Sequence, residues 1–243
     1  MKENKYDDPQ FFSQYKQMAR SVGGLDAAGE WHELRNMLPD FRGKRVLDLG
    51  CGFGWHCRYA VEQGAKSVIG VDISERMLQE ARKRTSSPLI EYVQQAIEEI
   101  DFPPECFDVV LSSLVFHYIE SLADICQRVA LCLARGGDFV LSVEHPIFTA
   151  QGPQRWHCDA AGRRLHWPVD RYFEEGARQA VFLGAAVTKY HRTLTTYINT
   201  LIQHGFTIRH LVEPQPALQL LDSPAMLDEL RRPMMLLIAA RRC

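Results

Sequence analysis

The chain has 243 residues, 46% of them hydrophobic and 24% charged, enough apolar material for one sizeable core without staples. With 28 Lys and Arg against 30 Asp and Glu, the formal charge of −2 offers no global attraction for nucleic acid or anionic membrane, and no stretch has the length of a membrane span. Seven scattered cysteines with no C-x-x-C pair read as reduced thiols that mostly pack.

The N-terminal MKENKYDDPQ is charged and polar and lacks the apolar run of a signal peptide, which reads as a cytoplasmic protein. Short apolar runs ending in small or acidic residues predict strands at 45–50 (RVLDLG), 67–72 (SVIGVD), 89–93 (LIEYV), 107–113 (FDVVLSS) and 137–144 (GDFVLSVE). Between them the residues from Trp55 to Gln63 suit a helix that stops at Gly64, and Ser74 is an N-cap for ERMLQEARKR. At 121–133, Ser121 and Asp124 form a capping-box pattern ahead of Leu122, Ile125, Val129 and Cys132 at helical spacing. This alternation predicts an α/β fold, a parallel sheet covered by helices on both sides, with ligands at the carboxyl ends of the strands.

After Glu144 the rhythm breaks. Residues 145–190 hold Trp156, Trp167, Tyr172, Phe173, Phe182 and Tyr190 among spaced glycines and read as a lid or hairpin insertion, its aromatics either packing on the sheet or lining an apolar substrate pocket. The chain then returns to helix in TLTTYINTLIQH, ending at Gly205, and to strands at 206–213 and 233–240. Arg231, Arg232, Arg241 and Arg242 read as a solvated terminus.

The densest motif is LDLGCGFGWHC at 47–57. A dinucleotide turn needs G-x-G-x-x-G, but here Gly50, Gly52 and Gly54 alternate and Trp55 holds the place of the third glycine. A glycine-rich turn after a strand still lets a ligand approach the backbone closely. Asp72 ends the next strand, 22 residues beyond Gly50, where a carboxylate can accept both ribose hydroxyl protons. Asp48, just before the turn, suits a ligand carrying an ammonium group rather than a pyrophosphate, or else orients the turn itself. A zinc site from Cys51, His56 and Cys57 lacks a fourth ligand, and His56 and Cys57 point to different helix faces. His157, Cys158 and His166 lack ligand spacing as well, so no metal is expected.

Taken in order, VLDLGCGFG, VIGVDIS, FDVVLSSLVFHYI and LARGGDFVLSVE resemble the successive motifs of class I S-adenosylmethionine-dependent methyltransferases over residues 45–144. FFSQYKQMARS and YHRTLTTYINTLIQHGF resemble, more loosely, bacterial small-molecule methyltransferases of the ubiquinone-biosynthesis type. The resemblance implies a Rossmann-like three-layer sandwich: a mostly parallel seven-stranded sheet with an antiparallel last strand and an insertion after the fifth strand. It divides one domain into a helical cap (1–40), a cofactor-binding core (41–144), a substrate lid (145–190) and a C-terminal helix with closing strands (191–243). It implies S-adenosylmethionine as cofactor, with Gly50, Cys51 and Gly52 along its methionine part and Asp72 on the ribose. Ile73 and Met77 would sandwich the adenine, Ser113 and Leu114 would touch the cofactor through backbone, and His117 would close over it. Asp48 would act through water or the amino group, and Tyr6, Tyr15 and Arg20 would sit on a helix over the cofactor, Arg20 near its carboxylate. The family usually places an Asp where this chain has Ala96, so the backbone of Ala96 and Ile97, or Glu98, would read the adenine edge.

Where the methyl acceptor carries a proton, a base is useful, and histidine titrates near neutrality. His145, directly after the fifth strand, should project beside the methyl group; His191 follows the insertion; Glu144 is a third candidate, as base or as orienter of His145. The expected partner is a small-molecule acceptor methylated on oxygen or nitrogen, with neither nucleic acid nor membrane, since SSLVFHY replaces the motif of nucleic-acid amino methylation. Two alternatives are an NAD(P)-dependent oxidoreductase, disfavoured by Asp48 and Trp55, and a protein that binds the cofactor without turnover.

Overall fold

Alternate residues of the central strands face opposite sides of the sheet and both sides are covered, which is why these strands read as continuous apolar runs. Val46, Val109 and Val140 join one core with Trp31, Cys57, Ala60 and Leu78. Their neighbours Leu47, Val110 and Leu141 join the other, with Phe116, Ile125, Val129, Tyr197 and Leu201.

The computed structural model describes residues 4–217, 221 and 224–243. Three short helices, α1 (Pro9–Lys16), α2 (Ala19–Gly23) and α3 (Trp31–Met37), precede β1 (Arg45–Leu49). The core continues through α4 (Trp55–Glu62), β2 (Ser67–Asp72), α5 (Glu75–Lys83), β3 (Ile90–Gln94), β4 (Phe107–Ser113), α6 (Leu122–Cys132) and β5 (Leu133–Glu144). An insertion follows: α7 (Pro146–Ala150), hairpin β6 (His157–Cys158) with β7 (Arg164–His166), and hairpin β8 (Gly176–Phe182) with β9 (Ala185–His191). The chain closes with α8 (Leu194–Gln203), β10 (Phe206–Val212), α9 (Pro224–Glu229) and β11 (Met235–Arg242).

The seven-stranded sheet has the order β10-β11-β5-β4-β1-β2-β3. All pairs among β1 to β5 are parallel, and β11 runs antiparallel between β5 and β10. This is the Rossmann-like methyltransferase architecture that the motif order implies. Strand order reverses between β1 and β4, so the crevice above their carboxyl ends is the natural ligand site. Ser74 caps α5 by accepting from the Met77 N–H, and Ser121 caps α6 by accepting from Asp124.

Two local readings need correction. β5 begins at Leu133, not 137: Gly136 takes φ +72° and the register with β4 shifts between Phe107 and Val109, so ARGG continues the strand through an irregularity. Arg232 is no solvated terminal charge. It is buried, ion-paired with Glu229, and stacked 4.3 Å from the Trp167 ring and 4.7 Å from Phe148. Trp156 and Trp167 therefore pin the insertion to the C-terminal segment, whereas Phe173 is 88% exposed. Arg232→Ala should lower unfolding stability by about 2 kcal/mol, from lost cation–π contact and a stranded Glu229. Urea denaturation checks this; an unchanged midpoint would contradict the pinning role.

Candidate active site

The turn after β1 is built from three left-handed glycines, with φ of +77° at Gly50, +53° at Gly52 and +70° at Gly54. They serve different ends. A Cβ on Gly50 would lie 2.2 Å from Val115 Cγ2, and one on Gly54 2.1 Å from the Tyr92 hydroxyl, so both are fixed by packing. A Cβ on Gly52 would meet only Met77 Cε at 3.4 Å, leaving that residue's face free for a ligand. Asp72 holds the turn: one carboxylate oxygen accepts from the Gly52 N–H and the other from the Ser74 N–H, each at 2.9 Å. Burial pushes its pKa up to about 6 despite those donors.

These residues form one wall of a cavity of about 1130 Å³. Ligand pockets usually measure roughly 300–1,000 Å³, so this one has room for two molecules together. Gly50, Cys51, Gly52, Asp72, Ile73, Met77, Ala96 and Ile97 line it at the β1–β2 side; Ser113, Leu114 and His117 line it after β4. Leu114 adopts φ +58°, an uncommon conformation for its residue type, and its N–H donates to the Ser142 carbonyl at 2.9 Å.

The N-terminal segment roofs the cavity with Tyr6, Phe11, Tyr15 and Arg20. Asp7 docks it by accepting from the Ser74 hydroxyl at 2.6 Å and from the Arg76 N–H at 3.1 Å, at the same turn that Asp72 organises. Arg20 is ion-paired with Glu30, which is 2% exposed. Three buried atoms of cavity-lining residues have no hydrogen-bond partner among the described residues, the Trp55 indole N–H, Glu30 Oε2 and Ser21 Oγ. Orphans of both kinds, a donor in Trp55, an acceptor in Glu30 and a hydroxyl in Ser21 that can be either, suit a zwitterionic ligand.

The opposite end is closed by Tyr118, Phe182, Val187, Tyr190 and Glu144. Glu144 accepts from Lys189 Nζ at 2.6 Å and from the Gln154 amide at 2.8 Å, and Lys189 also donates to Gln154 Oε1 at 3.0 Å. His117, Lys189 and Gln154 together hold the Glu144 carboxyl below its ordinary pKa although burial opposes it. Buried Arg192 fixes the turn that carries His117 by donating to the carbonyls of Phe116, Ile119 and Glu120.

Comparison with known proteins decides the family. Residues 47–141 match the methyltransferase-domain family. An S-adenosylmethionine-dependent methyltransferase structure from Listeria monocytogenes, itself described as putative, superposes with a TM-score of 0.87 at 60% identity, covering 90% of this chain and 99% of that one. The chain belongs to the S-adenosylmethionine-dependent methyltransferases. A second such structure, from Mesorhizobium loti, gives a TM-score of 0.84 at 46% identity over 90% of this chain and 100% of that one. A tRNA U34 carboxymethyltransferase from Marinobacter nauticus is 27% identical over 59% of this chain but only 41% of its own length. The cofactor of this methyltransferase is S-adenosylmethionine, and the oxidoreductase alternative falls with the family.

Within the methyltransferase, three expected site residues lie elsewhere. His145 does not line the cavity: Pro146 starts α7, His145 becomes its N-cap, and its Nδ1 accepts from the Ile147 N–H at 3.1 Å. Its Nε2 faces Glu213 at 2.8 Å. His191 is fully buried off the cavity, between Thr149 Oγ1 at 2.9 Å and the Tyr172 carbonyl at 2.8 Å. Both are structural hydrogen-bonding groups. Asp48 lies beneath the turn, 1% exposed, accepting from Cys57 Sγ at 3.2 Å, so direct contact with a ligand ammonium is ruled out by its position. Of the insertion aromatics, Phe182 and Tyr190 line the cavity, while Trp156 and Trp167 pack on Arg232. Nothing local in the sequence ties Lys189 and Gln154 to Glu144, so only the fold brings them together.

Burial pushes the Asp48 pKa up to about 7. The folded state therefore favours the protonated acid: this stability is fully present below about pH 4 and is lost as pH rises through about 7. Asp48→Asn should thus raise the urea midpoint more at about pH 8 than at about pH 5. An equal gain at both pH values would contradict a buried, uncompensated carboxylate.

Proposed function

We propose that this methyltransferase moves a methyl group from S-adenosylmethionine to an oxygen or nitrogen of a small molecule held at the Glu144 end of the cavity. The observation that carries the reading is the continuity of one cavity from the Gly52–Asp72 cradle to the Tyr118–Phe182 wall. Asp72, with both oxygens already positioned by backbone N–H groups, takes the ribose diol. Ile73, Met77, Ala96 and Ile97 flank the adenine, and the Trp55 N–H with Arg20 takes the methionine carboxylate. Glu30 Oε2, left without a protein partner, takes the ammonium.

When bound, the cofactor supplies an activated methyl group on a good leaving group. The chain supplies position and exclusion of water: the roof of Tyr6, Phe11 and Tyr15 covers the cradle, and Tyr6 is hydrogen-bonded to Tyr118 across it. The relative that acts on tRNA resembles this chain over part of its length, whereas the roofed cavity favours a compact acceptor.

In calorimetric titration, S-adenosylmethionine should bind and NAD should not. Asp72→Ala should weaken binding about a hundredfold, because two hydrogen bonds to a charged acceptor are lost. Unchanged affinity would contradict the ribose assignment. Formation of S-adenosylhomocysteine from a metabolite pool separates an enzyme from a silent binder, and its absence with tRNA present or absent favours the binder.

A further inference from the structure

Two cations stand behind the acceptor end of the cavity, and only one of them has an acidic partner. Lys189 Nζ is paired with Glu144 at 2.6 Å, so those two charges cancel. Arg192 is 5% exposed, and its guanidinium donates to the carbonyls of Phe116, Ile119, Glu120 and Tyr190. Carbonyl oxygens satisfy its N–H groups without neutralising its charge, and among the described residues no carboxylate lies within ion-pair distance of it. Glu175, the acid next to it along α8, is engaged by the Thr193 and Thr196 hydroxyls instead. Because Ile119, Glu120 and Tyr190 line the cavity, the Arg192 charge lies one residue layer behind its wall.

The other charges of the wall are matched, distant or in water. Arg20 is paired with Glu30 and Arg232 with Glu229, while Lys5 and Glu98 each have a partner of their own. Asp72 belongs to the ribose cradle, and Glu120 is exposed, where water and salt screen its charge. One uncompensated positive charge therefore remains at the acceptor end. His117 stands in that field, with one acid, Glu144, acting on it against two cations, Lys189 and Arg192.

His117 adds a hydrogen-bond donor to the same wall. Its Nδ1 accepts from the Glu144 main-chain N–H at 3.3 Å, so the neutral ring keeps its proton on Nε2. Burial, with Lys189 and Arg192 and against Glu144, drives its pKa down to about 4, so the ring is neutral near pH 7. It has a proton to share with an acceptor and no lone pair free to take one. Glu144, with both oxygens engaged and held in its ionised form, is a weak base. Thiols, phenols and alkylammonium groups, with ordinary pKa values of about 8.5 to 10.4, arrive with a proton that must be removed. Carboxylic acids, with pKa values of about 4, arrive as anions whose lone pairs are free.

Resting on the methyltransferase reading of this cavity, we infer that the acceptor is a carboxylic acid with an apolar body, methylated as its anion on a carboxylate oxygen to give the methyl ester. The Arg192 charge draws the carboxylate to this end and the His117 Nε2–H donates to it, while Tyr118, Phe182 and Val187 receive the apolar body. A lone pair of the carboxylate oxygen forms the O–C bond as the S–C bond breaks, and the S–C electron pair stays on sulfur. No proton moves, so no base is needed. Sulfonium and carboxylate attract strongly in an enclosure that excludes water, and both charges vanish in the products.

Two measurements test this. In calorimetry at about pH 7.5 on protein saturated with S-adenosylhomocysteine, 3-phenylpropionate should bind at least about tenfold more tightly than phenethylamine, which has the same body and the opposite charge. Equal binding, tighter amine binding, or no binding of either would overturn the carboxylate class and leave the methyltransferase reading intact. With methyl-labelled S-adenosylmethionine and a metabolite pool, the transferred label should be released by alkali as volatile methanol, as it is from methyl esters and not from methylamines or methyl ethers. Alkali-stable label would overturn the inference. Failure of S-adenosylhomocysteine to bind, or absence of any labelled product from the pool, would instead overturn the methyl-transfer reading, and the carboxylate inference with it.

Discussion

The Asp72 carboxylate is the constraint on which the rest of the site depends. By accepting from Gly52 on one side and Ser74 on the other, it fixes the turn after β1 against the start of α5. The turn can take that shape only because the alternate positions 50, 52 and 54 are glycines with positive φ. The same Ser74 hydroxyl anchors Asp7, so the roof is attached to the element that Asp72 organises. Floor and roof are thus set by one carboxylate, held in a site where burial alone would favour its neutral form.

The second fixed point is the buried Glu144–Lys189–Gln154 group at the far end. Taking these charges out of water is costly unless each is matched, and here every Glu144 oxygen has a donor. Its registry function is to bring three segments together: the end of β5, the loop before β6 and strand β9. The Glu144 N–H at the same point sets the His117 tautomer, so the geometry of the insertion reaches the cavity wall through one backbone donor. Arg192 supports the same turn from beneath.

Much of the fold was legible because the signals are local. Strand runs ending in Gly or Asp, a Ser cap before an amphipathic segment and the order of the motifs are all short-range, and they place Gly52 and Asp72 at adjacent strand ends. Side-chain direction is not local in that sense. His145 follows β5 directly, which suggested a catalytic position, but His-Pro is also a helix-start signal, and the Pro at the first position of α7 turns the ring onto Ile147 instead. His191 looked available because the sequence does not show that Thr149, 42 residues earlier, and Tyr172 enclose it. Asp48 suits either the ligand or the turn itself by its sequence position, and strand alternation sends it under the turn onto Cys57. In the sequence Trp55 stands where a dinucleotide turn has its third glycine; that its indole N–H is buried without a protein partner becomes visible only in three dimensions.

In the proposed pose one cavity seats S-adenosylmethionine on Asp72 with its amino-acid end toward Trp55, Arg20 and Glu30. A crystal structure of the complex with S-adenosylhomocysteine tests it most directly. Both ribose hydroxyls should lie within hydrogen-bonding distance of the Asp72 carboxylate, the ligand carboxylate on the Trp55 N–H, and the sulfur facing the Glu144 end. A ligand bound with its ribose away from Asp72, or with its amino-acid end directed toward Glu144, would contradict it.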